Sequence, residues 1–211
     1  MLIIDDRGGV RACGQSLAGL LGRDADDLAG RPVWTLLPGW SPFRGVCTDS
    51  RLRLVGSRIS VPVRVLGETL HLPGETLFML DVRRPRGVGQ GSADAVMVTD
   101  RHGEIRYVNP AFEAMTGYGA ADVAGLTPAL LKSGAHAPAT YRRLWDTILD
   151  GRTYRGTLIN HRKDGSRYCE DKVIRPVRDR VGRPVLFLCS GREVSRPSDE
   201  ARALPERSAV Q

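Results

Sequence analysis

The stretch Thr99-Asp100-Arg101-His102-Gly103-Glu104-Ile105-Arg106-Tyr107-Val108-Asn109-Pro110-Ala111-Phe112 decides the fold. Its Asp and Gly form a turn between two apolar runs, the first at 95–99, so the region reads as a β-hairpin. Asn109 before Pro110 then opens a helix. The Asn side chain can accept from free backbone N–H groups, and Pro, which has none, fits the first helical position. Phe112 and Met115 share one face of that helix, and Gly117 ends it. A further helical turn is predicted at 120–123, then a longer helix over 141–149 with Leu144, Trp145 and Ile148 apolar, stopped at Gly151. Three strands follow, at 153–160, 167–176 and 184–194, joined by the turn-forming runs Lys163-Asp164-Gly165 and Asp179-Arg180-Val181-Gly182.

The same order occurs earlier in the chain, and this repeat sets the domain organisation. Asp6-Arg7-Gly8-Gly9-Val10-Arg11 matches Asp100 to Arg106 with one residue dropped. Gly22, Asp27 and Gly30 then align with Gly117, Asp122 and Gly125 at one constant offset. The first copy has an opening strand at 2–4, a Gly- and Pro-rich middle over 34–47, and strands predicted at 51–55, 57–66 and 75–83. A polar, glycine-rich run over 84–91 separates the copies. The predicted organisation is therefore units at 1–84 and 92–195, a linker at 85–91 and a tail at 196–211. Strands, helices, then three more strands imply an α+β fold, each unit a five-stranded antiparallel sheet with helices on one face.

Composition bounds the function classes. With 41% hydrophobic and 26% charged residues, the 211-residue chain is that of an ordinary globular protein. No apolar run reaches the roughly 20 residues a bilayer span needs, and Asp5-Asp6 interrupts the apolar start, so a cytoplasmic location without membrane contact is expected. The net charge of +7 comes almost wholly from arginines scattered along the chain, which argues against a nucleic-acid patch. Cys13, Cys47, Cys169 and Cys189 lack metal-ligand spacing, so no metal site is expected. Neither a phosphate-binding glycine loop nor a nucleophile elbow is present, and no catalytic residue is assigned.

Together, Thr99-Asp100-x-x-Gly103, Tyr107-x-Asn109-Pro110-Ala111-Phe112, Thr116-Gly117-Tyr118, Lys163-Asp164-Gly165 and Arg192-Glu193-Val194-Ser195 resemble a PAS domain. The first copy resembles one only through the internal repeat. Within that family, Leu130-Leu131-Lys132-Ser133-Gly134, Tyr141-x-x-Leu144-Trp145 and Gly156-x-Leu158-x-Asn160-x-Arg162-Lys163-Asp164 are similar to the flavin-binding subgroup that includes the nitrogen-fixation redox regulators. The resemblance implies a sensor, not an enzyme, that binds FAD, with FMN, haem or no cofactor as alternatives. It makes Trp145, Asn160, Leu158, Lys132 and His136 candidate cofactor-binding residues, with Trp145 and Asn160 at the isoalloxazine ring. Pro128 stands where the regulator has an acidic residue, which leaves a carboxylate proton route there without its residue. Output would pass to a histidine kinase or transcriptional regulator in trans, since only a short tail follows Ser195, and PAS domains imply a homodimer. The first unit, with Trp34 and Trp40 and no polar pocket residue, is expected to hold no ligand and to serve dimer or partner contacts.

Strand alternation adds a physical argument. Tyr154, Gly156, Leu158 and Asn160 share one face, and a buried amide there needs partners or costs about 1–3 kcal/mol. A flavin edge would supply them, although Asn160 could instead cap the turn before Asp164. Trp145 could equally be core filling. Gly156 in a central strand marks a close approach by a ligand or another backbone. Haem would need an axial ligand, and His71, His102, His136 and His161 all read as surface positions. Blue-light adduct chemistry needs a cysteine beside the flavin; the stretch 127–133 has none, and Cys169 and Cys189 fall on predicted strands.

Overall fold

Two hairpin turns built in the same way start the two halves of the computed structural model, which describes residues 1–37, 47–53, 60–72, 75–83 and 94–195. In the first, between β1 (Leu2–Asp5) and β2 (Val10–Cys13), Asp5 Oδ1 accepts from the N–H groups of Arg7 (2.9 Å) and Gly9 (2.8 Å). Arg11 Nε donates to Asp5 Oδ2 at 2.9 Å. In the second, between β6 (Ala95–Asp100) and β7 (Ile105–Val108), Asp100 Oδ1 accepts from His102 (2.9 Å) and Glu104 (3.0 Å), and Arg106 Nη2 donates to its Oδ2 at 2.6 Å. Asp5, not Asp6, is thus the counterpart of Asp100, and the repeat needs no dropped residue. Gly8 and Gly103 turn these corners at φ +78° and +85°, conformations that other residues rarely adopt.

The first half continues with α1 (Gln15–Leu20), 3₁₀ turns at Asp26–Leu28 and Val33–Thr35, then β3 (Cys47–Arg53), β4 (Ser60–Leu72) and β5 (Glu75–Arg83). The second continues with α2 (Pro110–Thr116), α3 (Ala120–Val123), a 3₁₀ turn at Pro128–Leu131, α4 (Pro138–Leu149), β8 (Tyr154–His161), β9 (Arg167–Arg178) and β10 (Pro184–Val194). The strands form two five-stranded sheets, ordered β2-β1-β5-β4-β3 and β7-β6-β10-β9-β8, and all described pairings are antiparallel. Within each sheet the last strand of its half lies in the centre beside the first, so both ends of the half meet mid-sheet.

Local chemistry accounts for the helix boundaries. Asn109 caps α2, its Oδ1 accepting from Phe112 N at 2.8 Å, with Pro110 in the first turn. Gly117 closes the helix at φ +76°. Helix α4 begins at Pro138, three residues before the predicted start, because a proline is tolerated in the first helical turn. Strand β3 starts at Cys47 and β4 runs on to Leu72, both beyond their predicted bounds. The predicted strand segments at 54–55 and 57–59, the linker, Trp40 and the tail lie outside the described residues.

Three apolar layers result. Leu2, Ile4, Val10, Leu17, Leu28 and Leu80 pack between the first sheet and its helical segments. Met97, Phe112, Leu144, Ile148, Leu158 and Phe187 do the same in the second half. Between them the opposite faces of the two sheets meet through Ile3, Met79, Val96, Val98, Val177 and Leu188. Polar contacts rim this middle layer. Arg175 on β9 donates to Asp26 Oδ1 (2.9 Å) and Gln15 Oε1 (2.8 Å), Ser16 N donates to Asp94 Oδ2 (2.7 Å), and Arg180 grips Asp6 (2.6 and 2.8 Å). Strand β9 therefore carries the second half's interior on one face and its contact with the first half on the other.

Candidate functional site

Between the second sheet and helix α4 lies a cavity of about 220 Å³. Packing defects in protein interiors rarely exceed one water molecule, so this is built space. Its walls are largely apolar: Met97, Leu144, Ile148, Leu158, Ile174 and Phe187 among others. Trp145 forms one side. Its ring packs edge-to-face on Phe187 (centroids 6.0 Å apart) and lies over Gly103, where a Cβ would come within 2.9 Å of it. Trp145 thus packs on the core and at the same time lines the cavity.

Polar groups gather at one end. Asn160 on β8 is buried, and its Nδ2 donates to Glu170 Oε2 on β9 at 2.8 Å. It does not cap the following turn, which Asp164 closes by accepting from Ser166 N at 2.9 Å. Lys172, two residues along β9 from Glu170, lines the cavity and places its ammonium 2.8 and 3.0 Å from the Glu170 oxygens. Burial pulls the Lys172 pKa down, but its neighbours, the Glu170 carboxylate first among them and then Cys189 and Tyr168, more than offset this and hold it above the ordinary lysine value. Tyr141 also lines the space; its hydroxyl is buried without a hydrogen-bond partner, and desolvation raises its pKa. An apolar slot flanked by a tryptophan, with an amide, an ammonium and an unpaired hydroxyl on its lining, fits a planar heteroaromatic ring with a polar edge such as a flavin.

Of the five candidate residues, the structure brings four to this cavity: Trp145, Asn160, Leu158 and Lys132. Lys132 lies over the Tyr141 ring (4.4 Å to the centroid), and its backbone bridges to Asn160. His136 is not among the lining residues. Its Nε2 instead accepts from Ile159 N at 2.8 Å and ties the loop before α4 to strand β8, so that nitrogen is already occupied. None of the four histidines lines the cavity, which leaves haem without an axial histidine there.

Two other expectations change. Gly156 does not mark an approaching ligand or backbone: a Cβ there would lie 2.7 Å from the Tyr154 hydroxyl, so the glycine makes room for that buried side chain. Cys189, set aside because it falls on a strand, does line the cavity from β10. Burial pushes its thiol up to about 12, so it stays protonated near neutral pH.

Glu170 and Lys172 were missed by sequence reasoning, although a signal existed. In the antiparallel ladder Gly156 faces Lys172 and Leu158 faces Glu170, so the alternation that points Leu158 inward points both charged residues inward too. A further glycine completes the arrangement. Gly191 on β10 lies beside Glu170, where any Cβ would collide with the carboxylate.

A five-stranded antiparallel sheet whose helices close a ligand-sized cavity on one face defines the class as an α+β domain with an internal pocket. The chain belongs to the PAS family: residues 83–194 match the family described as PAS fold. The match takes in the second sheet and its helices and does not extend over the first. Over 101 residues the chain is 38% identical to the nitrogen fixation regulatory protein of Klebsiella oxytoca, a segment that is 48% of this chain and 20% of that protein. It is 32% identical over 92 residues to phototropin-2 of Oryza sativa subsp. japonica, covering 44% of this chain and 10% of that one. The chain thus spans about a fifth or less of these relatives' length. Among solved structures, the light state of the Aureochrome1 LOV blue-light photoreceptor is similar with a TM-score of 0.48 at 23% identity, over 53% of this chain and 88% of that one. No helix among the described residues is long and apolar enough to cross a membrane.

Proposed function

We propose that this chain is a signal-transduction sensor that holds FAD in its second half and reads redox state or oxygen. The observation that carries this reading is the buried Asn160 amide at the polar end of an apolar cavity walled by Trp145. When bound, the flavin supplies reversible electron uptake; the protein supplies the binding surface and its electrostatics. Trp145 offers a face for a planar ring, Asn160 is held in place by Glu170, and the Tyr141 hydroxyl is free to donate to a ligand.

The first half is proposed as a second, degenerate PAS unit. Its sheet has the same strand order as the second, and its hairpin is closed by the same Asp–backbone and Asp–Arg hydrogen bonds. Because β9 carries Lys172 inward and Arg175 toward Asp26 and Gln15, a change at the cavity has a short route to that half. From there the reading passes to a histidine kinase or transcriptional regulator in trans, with the chain as a cytoplasmic homodimer.

An absorption spectrum of the purified chain tests the core of this. A flavin spectrum that bleaches with dithionite and returns in air is expected; a colourless protein that takes up neither FAD nor FMN overturns it. Asn160→Ala and Trp145→Ala are each expected to weaken FAD binding about tenfold or more, as follows from losing one buried partner. Equilibrium dialysis against FAD measures this. Under a cofactor-free docking role the same substitutions would leave partner binding nearly unchanged.

A further inference from the structure

One member of a buried ion pair, Lys172 with Glu170 behind it, stands on the cavity wall, and its charge has a consequence beyond holding Asn160 in place. Glu170 and Lys172 are 1% and 6% exposed. Of the two, only Lys172 lines the cavity, while Glu170 extends toward Gly191 and accepts from Asn160. The pair is therefore a dipole with its positive end on the cavity wall. Burying two such ions costs several kcal/mol each before their attraction is counted, and aliphatic side chains could fill the same volume at no such cost. The backbone also makes room for it, since the three atoms nearest to a Cβ at Gly191 would all belong to the Glu170 side chain.

We propose that Lys172 sets the charge this cavity prefers in its ligand, so that the reduced, more negative flavin is bound more tightly than the oxidised one. The inference rests on the flavin reading above. Two electrons from a low-potential donor and one proton from solvent add to the oxidised ring and leave it with one additional negative charge. No protein bond forms or breaks; Lys172 keeps its proton and Glu170 its charge. In a site shielded from water a fixed ammonium on the wall stabilises that added charge far more than it would in bulk solvent. Glu170 keeps the cation charged and in position, and through Asn160 it ties the pair to the amide at the cavity's end.

The test uses the full chain loaded with FAD, titrated with dithionite against a reference dye while the flavin absorbance is followed. The double variant Lys172→Met/Glu170→Gln removes both charges without leaving one buried alone; Lys172→Met is made beside it. In the fraction of each variant that holds FAD, the reduced-to-oxidised ratio is expected to shift at least tenfold toward the oxidised form. For a two-electron couple that is a midpoint lower by about 30 mV or more. A midpoint that stays put or rises with FAD bound overturns the inference alone. So does a folded double variant that takes up FAD in neither redox state, which would make the pair a binding element without charge preference. A wild-type chain that takes up no FAD removes the flavin reading and this inference with it.

Discussion

Glu170→Ala is expected to lower the unfolding free energy by about 3–5 kcal/mol near neutral pH, the loss typical of stranding one member of a buried pair. Lys172 would remain enclosed with no carboxylate beside it, and Asn160 Nδ2 would lose its acceptor. The pH dependence identifies the cause. In the wild type the Lys172 pKa is raised, so its contribution is fully present below the unfolded-state value of about 10.4 and is lost only as pH climbs through the folded value. In Glu170→Ala, burial, the largest influence on Lys172, is no longer opposed by the carboxylate and depresses that pKa. The unfolded chain then binds more protons than the folded one over the interval below about 10.4, and stability rises with pH there. Urea denaturation at pH 7 and pH 9.5 should show the deficit shrinking at the higher pH, with this contribution in the wild type nearly flat. A deficit below about 1 kcal/mol, or one that ignores pH, would mean the pair does not carry the energy assigned to it. Glu170→Gln/Lys172→Met, which removes both charges and keeps an acceptor for Asn160 Nδ2, should sit close to wild type.

How far the sequence could be read depended on whether a signal was local. The helix cap at Asn109, the stops at Gly117 and Gly151 and the turns at Asp100 and Asp179 are each set by a few neighbouring residues, and all hold in the structure. Alternation along β8 placed Leu158 and Asn160 on the inner face for the same reason. What was lost needed cross-strand register. Glu170 and Lys172 look like ordinary surface charges until β9 is paired with β8, and Gly191 looks like a flaw in a strand until the carboxylate beside it is seen. Gly156 was misread for a related reason, since its neighbour in space, Tyr154, is two residues away on the same strand. His136 lies near the cavity-forming loop in sequence, but its free nitrogen is taken by a backbone N–H of β8. The repeat reads with an off-by-one start because Asp5 and Asp6 are identical letters; the constant offset of the later positions selects Asp5, and the hydrogen bonds agree.

Asn109→Ala is expected to cost about 3–4 kcal/mol of stability, more than a helix cap alone contributes, and to leave the affinity of the folded protein for FAD unchanged. A lost cap costs about 1 kcal/mol, and each backbone group left buried without a partner about 1–3 kcal/mol. Asn109 is 7% exposed, and its single amide serves three backbone groups. Its Oδ1 accepts from Val96 N (2.9 Å) as well as Phe112 N, and its Nδ2 donates to Asp94 O at 2.9 Å. It thus fastens the start of α2 to the first residues of the second half. Asp94 in turn accepts from Ser16 N at 2.7 Å and pairs with Arg192, so the loss should reach the contact between halves. Asn109→Asp keeps both acceptances but loses the donation, and should fall between alanine and wild type. Chemical denaturation gives the ranking, and FAD titration of the folded fraction gives the second half of the expectation. Asn109 does not line the cavity, so a variant that loses both stability and FAD affinity would show that the α2–β6 junction controls the pocket as well as the fold.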